Sequence, residues 1–413
     1  MKNKTVPEIR YKNIEDEWNL IKLSDLMNFS NGINAPKESY GRGRKMISVM
    51  DILSEERIEY KKIRNSVEVK ESIESKNKVE NGDLIFVRSS EVRNEVGWAK
   101  AYLQEQYALH SGFTIRGKKQ NEYDAKFIEC SLNFRNRHQI ESKAGGSTRY
   151  NVGQEILKNV EIYIPPLKEQ LLISTLIQNI ENKINLHQQE LDALKQTKQG
   201  FLQKMFPKDQ ELIPKMRLSG FEGKWIEMKF KNLAKIRRGL TYKPKDVDKS
   251  GIRVLRSSNI KGDSFILKDD DVFVKQEVVN INYAKENEIL ITSANGSSNL
   301  VGKHALIKKL NSPTVHGGFM LIASAKTPYF VNTLMNTEWY DRFIKIHVSG
   351  GNGAIGNLNK NSLENYSVMV PSIEEQVKIG EFFRQLDEVI ELKEQELEAL
   401  KQTKKGFLQK MFV

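Results

Sequence analysis

The sequence predicts an α+β protein: two β-rich, mixed α/β globules and two long helices, written as an internal repeat. Three observations predict it. Residues 191–206 (LDALKQTKQGFLQKMF) return as residues 397–412 (LEALKQTKKGFLQKMF) with fourteen of sixteen positions matched. Short apolar runs bounded by Gly, Asn and Ser fill most of the remainder. Two segments of about forty residues carry apolar side chains at strict 4-3 spacing.

The repeat extends through the chain at an offset near 206. Trp18 pairs with Trp225 and Gly32 with Gly239. His110-Ser-Gly-Phe113 pairs with His316-Gly-Gly-Phe319, Gly145-Gly146 with Gly350-Gly351, and Glu169-Gln170 with Glu375-Gln376. A period this long marks a duplicated domain and not a solenoid. The predicted organisation is a first globule over 1–164, a first long helix over 165–206, a second globule over 207–371 and a second long helix over 372–413.

In the globules, Asp83-Leu-Ile-Phe-Val87 and Glu288-Ile-Leu-Ile-Thr292 read as strands. Prolines (Pro165-Pro166; Pro371) precede each long helix, where they end a strand and suit a helix start. The first helix places Ile173, Ile177, Ile180, Ile184, Leu191 and Leu194 on one seam. The second places Ile379, Phe383, Leu386, Ile390, Leu397 and Leu400 in the same register. Polar residues interrupt both seams, at His187 and Lys198 and at Lys393 and Lys404. Such interruptions lower stability but set register and orientation. Forty residues at 1.5 Å each is about 60 Å, too long for one small core, so the seams read as a coiled coil. Gly200 and Gly406 fall inside this pattern; close approach of another backbone would explain them, a kink being the alternative.

The 413 residues carry 65 Lys and Arg against 53 Asp and Glu, a net charge of +12. The segment 167–206 is +1 and 373–413 is −2, so the excess of about +13 sits on the globules. Such charge suggests a polyanionic partner, most often nucleic acid, with ordinary solubility charge as the alternative reading. A single cysteine, Cys130, excludes an intrachain disulfide and a cysteine-based zinc cluster. No apolar run reaches the length of a membrane span. The first residues, Met1-Lys2-Asn3-Lys4, lack the apolar stretch of a secretory signal, so a cytoplasmic protein is expected.

Catalytic motifs are missing. Gly296–Lys303 approximates a phosphate loop, but its spacing is one residue too long and His304 stands where Ser or Thr belongs. Gly351-Asn-Gly-Ala-Ile-Gly356 matches G-x-G-x-x-G, yet no ribose-binding acid follows on a clear second strand. The histidines show no metal-ligand spacing, and His110 and His316 read as buried, hydrogen-bonded residues. Asp269-Asp270-Asp271 reads as a solvated turn. The chain is expected to bind and not to catalyse.

Candidate DNA contacts follow from residue type: Arg and Lys for phosphates and guanine, Asn for adenine, hydroxyls for the backbone. In the first unit they are Arg42, Arg44 and Lys45; Arg88 and Arg93; Arg149 and Tyr150. In the second they are Arg237, Arg238, Tyr242 and Lys243; Arg256 and Asn259; Asn295 and Asn352.

Two dissimilar globules, each followed by a Pro-to-Glu-Gln segment (Pro166-Leu-Lys-Glu-Gln170; Pro371-Ser-Ile-Glu-Glu-Gln376) and a nearly verbatim heptad helix, resemble the specificity subunit of type I restriction-modification systems. The resemblance covers essentially the whole chain. It implies that the globules are target-recognition domains held by an antiparallel coiled coil with pseudo-two-fold symmetry. It implies two methyltransferase (modification) subunits using S-adenosylmethionine, and restriction subunits using ATP and Mg for translocation and cleavage. No cofactor is expected on this chain. The expected target is a split, asymmetric double-stranded DNA site, with half-sites roughly 34–36 Å apart and an unread spacer set by helix length. The competing reading is a non-catalytic scaffold that assembles partner proteins through its helices.

Overall fold

A computed structural model describes residues 6–12, 14–208, 211–349 and 356–413. The chain divides into two units, Met1–Gln188 with Glu396–Val413, and Gln189–Gln395. Among the described residues no helix is long and apolar enough to cross a membrane.

The first unit contains strands β1 (Asn19–Lys22), β2 (Met27–Asn31), β3 (Tyr40–Ile47), β4 (Leu84–Val87), β5 (Ser89–Ser90), β6 (Ala99–Ala101), β7 (Leu109–His110), β8 (Thr114–Lys119), β9 (Tyr150–Asn151) and β10 (Glu161–Ile164). A four-stranded antiparallel sheet runs in the order β2-β8-β4-β6. Its central strand β4, Leu-Ile-Phe-Val, is buried along its whole length. Successive side chains alternate faces, so the run feeds two cores. Leu84 and Phe86 join Trp18, Phe127 and Ile173, while Ile85 and Val87 join Ile47, Ile52 and Tyr102. That double burial explains why the sequence shows an unbroken apolar run and not an alternating one. β7 lies parallel to β3, with Ile47 opposite His110.

The second unit repeats this plan with β11 (Ile226–Lys229), β12 (Ala234–Arg238), β13 (Val247–Leu255), β14 (Ile289–Thr292), β15 (Ala294–Asn295), β16 (His304–Leu306), β17 (Thr314–His316), β18 (Met320–Ala325), β19 (Gly356–Leu358) and β20 (Ser367–Val370). Its sheet order is β12-β18-β14-β16. Ile289 and Ile291 face one core and Leu290 the other. β13 and β17 are parallel, with Leu255 opposite His316.

The first long helix spans Leu167–Met205 and the second Ile373–Lys410. Each contributes to both units. In the first unit Lys404 Nζ lies 2.9 Å from Glu181 Oε1, and His187 Nδ1 lies 3.5 Å from Glu396 Oε2. In the second, Lys393 meets Glu190 at 3.2 Å, Lys198 meets Asp387 at 2.7 Å, and the Phe201 and Phe382 rings are 5.1 Å apart. One helix number rises as the other falls, so the pairing is antiparallel in each unit. All four polar seam residues have an acidic partner on the other helix. Ile173, Ile177, Ile180, Leu191, Ile379, Phe383, Ile390 and Leu397 are buried on the seam, and Ile184, Leu194, Leu386 and Leu400 are half-buried.

The helix ends finish the cores. Leu408, Met411 and Phe412 enter the first-unit core, where Phe412 stacks on Phe127 at 5.0 Å. Leu202, Met205 and Phe206 do the same in the second unit, where Phe206 packs against Trp225 and Phe330. The helix starts are tied down by the Glu-Gln pairs. Arg10 forms a two-pronged bond to Glu169, and Arg217 to Glu375, each acid being 1% exposed. Gln170 and Gln376 donate to the carbonyls of Pro165 and Pro371.

Two expectations are corrected. A Cβ at Gly200 or Gly406 would meet nothing within 4 Å, so no neighbouring backbone requires these glycines. The glycine that does admit close packing is Gly380, whose Cβ would fall 2.7 Å from the Phe330 backbone nitrogen. Asp271 is not part of a solvated turn. Its side chain is 2% exposed and accepts from Arg253 and Asn259.

Candidate nucleic-acid interface

In the first unit the site forms around the turn His110–Thr114, between β7 and β8. Ile33 and Gly112 donate backbone hydrogen bonds that lock the turn to the end of β2. A Cβ at Gly32 would lie 2.1 Å from the Ser111 carbonyl oxygen, so glycine is required where the two backbones touch. His110 is fully buried with Nδ1 3.0 Å from Thr114 Oγ1, and burial pushes its imidazole down to about 3. His316 is also fully buried, with Nε2 3.4 Å from the Arg237 carbonyl; burial lowers it to about 4. Both are neutral struts beneath their turns, as their setting beside Gly and Phe in the sequence implied.

Around the first turn the β-ladders gather four of the sequence candidates. Arg88 follows β4; its backbone N–H donates to the Phe113 carbonyl at 2.9 Å and its guanidinium to the Gly112 carbonyl at 3.2 Å. β5 pairs with β9, which sets Tyr150 opposite Ser90. Arg149 places its guanidinium 5.6 Å from the Phe113 ring centroid, and Arg93 sits 5.8 Å from that of Tyr150. Arg93 and Arg149 are exposed. The Arg149–Glu91 pair at 3.5 Å is solvated on both sides, so it holds Arg149 only weakly.

Arg42, Arg44 and Lys45 lie apart from this group, on β3. Arg42 pairs with Glu68 at 2.8 Å on the surface. Arg44 reaches Glu74 and the Tyr107 hydroxyl, and Lys45 donates to the Ile63 carbonyl. The donors of Arg44 and Lys45 are directed into their own unit, while Arg42 stays exposed.

The second unit repeats the frame with different side chains. Leu240 donates to the His316 carbonyl at 2.7 Å, and a Cβ at Gly239 would lie 2.0 Å from the Gly317 oxygen. Ser293 and Ala294 donate to the Phe319 carbonyl at 2.9 and 3.1 Å. Asn295 Nδ2 bonds Ser257 Oγ at 3.0 Å, which joins the loop after β13 to β15. Arg238 and Arg256 are exposed at the ends of β12 and β13, on the segments that bond this turn. Lys243 is exposed, and Tyr242 packs against the small core of Ile252 and Val254.

Two candidates point inward. Arg237 forks onto Glu288 at 2.6 and 2.7 Å and donates to Ser324 and the Tyr283 carbonyl. Burial raises the Glu288 carboxyl, but bonds from Arg237, Ser324 and the Lys285 backbone outweigh it and hold Glu288 below the usual carboxylate range. Asn259 is corrected outright. It is 0% exposed, and its amide is spent on the Ile266 carbonyl, Asp271 and the Arg256 N–H. Asn352, with most of the Gly351–Gly356 segment, lies outside the described residues.

Residue type alone missed Phe113 and Phe319. They are equivalent in the repeat, project from the two turns, and are 53% and 65% exposed. Their signal was the recurrence of an aromatic after His-x-Gly.

Comparison with known proteins bears on the whole chain. A family model described as the type I restriction modification DNA specificity domain matches twice, over residues 15–196 and 222–402. The type I restriction enzyme MjaVIII specificity subunit of Methanocaldococcus jannaschii is 20% identical over 429 residues, covering 98% of this chain and 95% of that one. The EcoKI specificity subunit of Escherichia coli K12 is 23% identical over 336 residues, covering 77% and 70%. Among solved structures, the S subunit of a type I restriction-modification system from M. genitalium superposes with a TM-score of 0.65 at 16% identity, covering 99% of each chain. A chain from a study of complex assembly and conformational transition in the type I R-M system gives 0.55 at 12% identity, covering 97% and 99%.

Proposed function

The chain belongs to the type I restriction modification DNA specificity domain family, and from that premise we propose that its two units read the two halves of a split, asymmetric double-stranded DNA site. Methylation and cleavage then reside on separate modification and restriction subunits that this chain recruits. S-adenosylmethionine, ATP and Mg belong to those subunits. The observation that carries the reading is a shared frame with unlike side chains. The same buried histidine, glycine contact and exposed phenylalanine recur in both units. The first surrounds them with Arg88, Arg93, Arg149 and Tyr150, the second with Arg238, Arg256 and Asn295. One frame presenting different donors reads different bases.

Arg93, Arg149, Arg238 and Arg256 set the phosphate register, and Asn295 reaches a base edge. The long helices, shared by both units, set the unread spacer. Single-molecule sequencing of a host genome with and without this gene tests the proposal. A bipartite methylated motif that appears only with the gene is expected; an unchanged methylation pattern overturns it. Insertion of one heptad into each long helix should change the spacer and leave both half-sites alone. The scaffold reading is not favoured, since the matched family is one of DNA specificity domains.

A further inference from the structure

We propose that Phe113 and Phe319 are base-reading residues, each making apolar contact with the 5-methyl group of a thymine in its own half-site. The proposal rests on the DNA-recognition reading above and adds to it a contact that composition did not reveal. Both rings stand at the tip of the turn that organises their unit, and both are more than half exposed. Leaving a phenylalanine in water forgoes the stabilisation that its burial would give.

The backbone that carries each ring is held in place. In the first unit the Phe113 carbonyl accepts from the Arg88 N–H, and glycine is required at 112, where a Cβ would lie 1.8 Å from Asn34 Oδ1. In the second, the Phe319 carbonyl accepts from both Ser293 and Ala294.

The surroundings select the occupant. The Arg149 guanidinium lies over Phe113, and Arg88 donates to the residue before it. Arg256 is exposed beside Leu255, whose carbonyl accepts from Gly317 in the second turn. The Phe113 ring, bordered by a cation, fits a polyanion with flat apolar parts, which is DNA, and Phe319 is its equivalent in the repeat. Among major-groove features the thymine methyl is the group that apolar side chains recognise.

The test uses the full chain assembled with its modification subunits and a randomised duplex library. The parent complex should select a bipartite motif. Phe113→Ala should relax one A·T position in one half, and Phe319→Ala one in the other, each lowering affinity for the parent site about tenfold with an unchanged salt slope. Replacing that thymine by deoxyuridine should weaken the parent complex similarly and leave the corresponding Ala variant unaffected. Phe113→Leu, which keeps an apolar side chain, should retain part of the preference. Unchanged motifs, or insensitivity to deoxyuridine, overturn the inference. Ala variants that weaken subunit assembly and leave the motif intact assign the rings to a protein partner and also overturn it. Failure of the parent complex to select any motif defeats the functional reading itself, and the inference falls with it.

Discussion

Lys198 Nζ sits 2.7 Å from Asp387 Oδ1 across the helix seam, and the same bond recurs one repeat away, where Lys404 meets Glu181 at 2.9 Å. An ammonium on an apolar seam is tolerated when an acid of the facing helix meets it, and it penalises registers in which the two miss. Lys198→Glu should therefore place two carboxylates together and destabilise the protein by about 1–2 kcal/mol, between the values for exposed and buried pairs. Asp387→Lys added to that variant should restore most of the stability. Urea unfolding of the two single variants and the double variant checks this; additive effects would refute the pairing.

The clamps at the helix starts should be stronger. Arg217 is the bidentate partner of Glu375, whose side chain is 1% exposed. Arg217→Ala leaves a buried carboxylate without its cation, which costs about 3–5 kcal/mol. Arg10→Ala should act alike on Glu169 in the first unit. Arg217→Ala combined with Glu375→Leu should recover stability relative to Arg217→Ala alone. Thermal unfolding gives the readout.

The two buried histidines make stability sensitive to acid. Their imidazoles are held neutral at about 3 and about 4 in the fold, against 6.5 when free. The unfolded chain therefore binds protons that the native one does not as pH falls below 6.5. Their contribution is fully present above that pH and is lost as pH falls to about 4 for His316 and about 3 for His110, by up to roughly 1.4 kcal/mol per pH unit for each histidine. His110→Gln and His316→Gln should each flatten the pH dependence of unfolding between 6.5 and 4. Equal slopes in parent and variants would contradict it.

The exposed arginines and the inward-turned Arg237 are expected to respond differently to substitution. Arg93→Ala with Arg149→Ala, or Arg238→Ala with Arg256→Ala, should lower affinity for all DNA sequences and reduce the salt slope by about 1 for each phosphate no longer neutralised. Arg237→Ala should instead destabilise the fold by about 2–4 kcal/mol, because Glu288 is deprived of its partner. Salt-dependent binding and denaturation, run on the same variants, distinguish the two classes.

The repeat, the heptads and the doubly buried strands were legible because each is written in local or periodic sequence. The direction of a polar side chain was not. Arg237 and Arg238 are neighbours of identical type, yet one is claimed by Glu288, fifty-one positions away, and the other is exposed. Asn259 looked like an adenine reader, but its partners Ile266 and Asp271 close a local loop around it. Phe113 and Phe319 were seen only as marks of duplication, since an apolar residue beside glycine carries no sign of exposure. Gly200 and Gly406 show the converse: their spacing invited a packing explanation that the open space around them removes.

The first unit's core includes Leu408, Met411 and Phe412, at the far end of the second long helix. A ribosome delivers these residues after both globules, so the globule made earlier is sealed later. Until then its nascent core lacks a wall, whereas the second unit draws its closing residues Leu202, Met205 and Phe206 from the first long helix, and Ile379 and Phe383 from the near part of the second. Removing residues 408–413 should therefore open the core of the globule that is translated first.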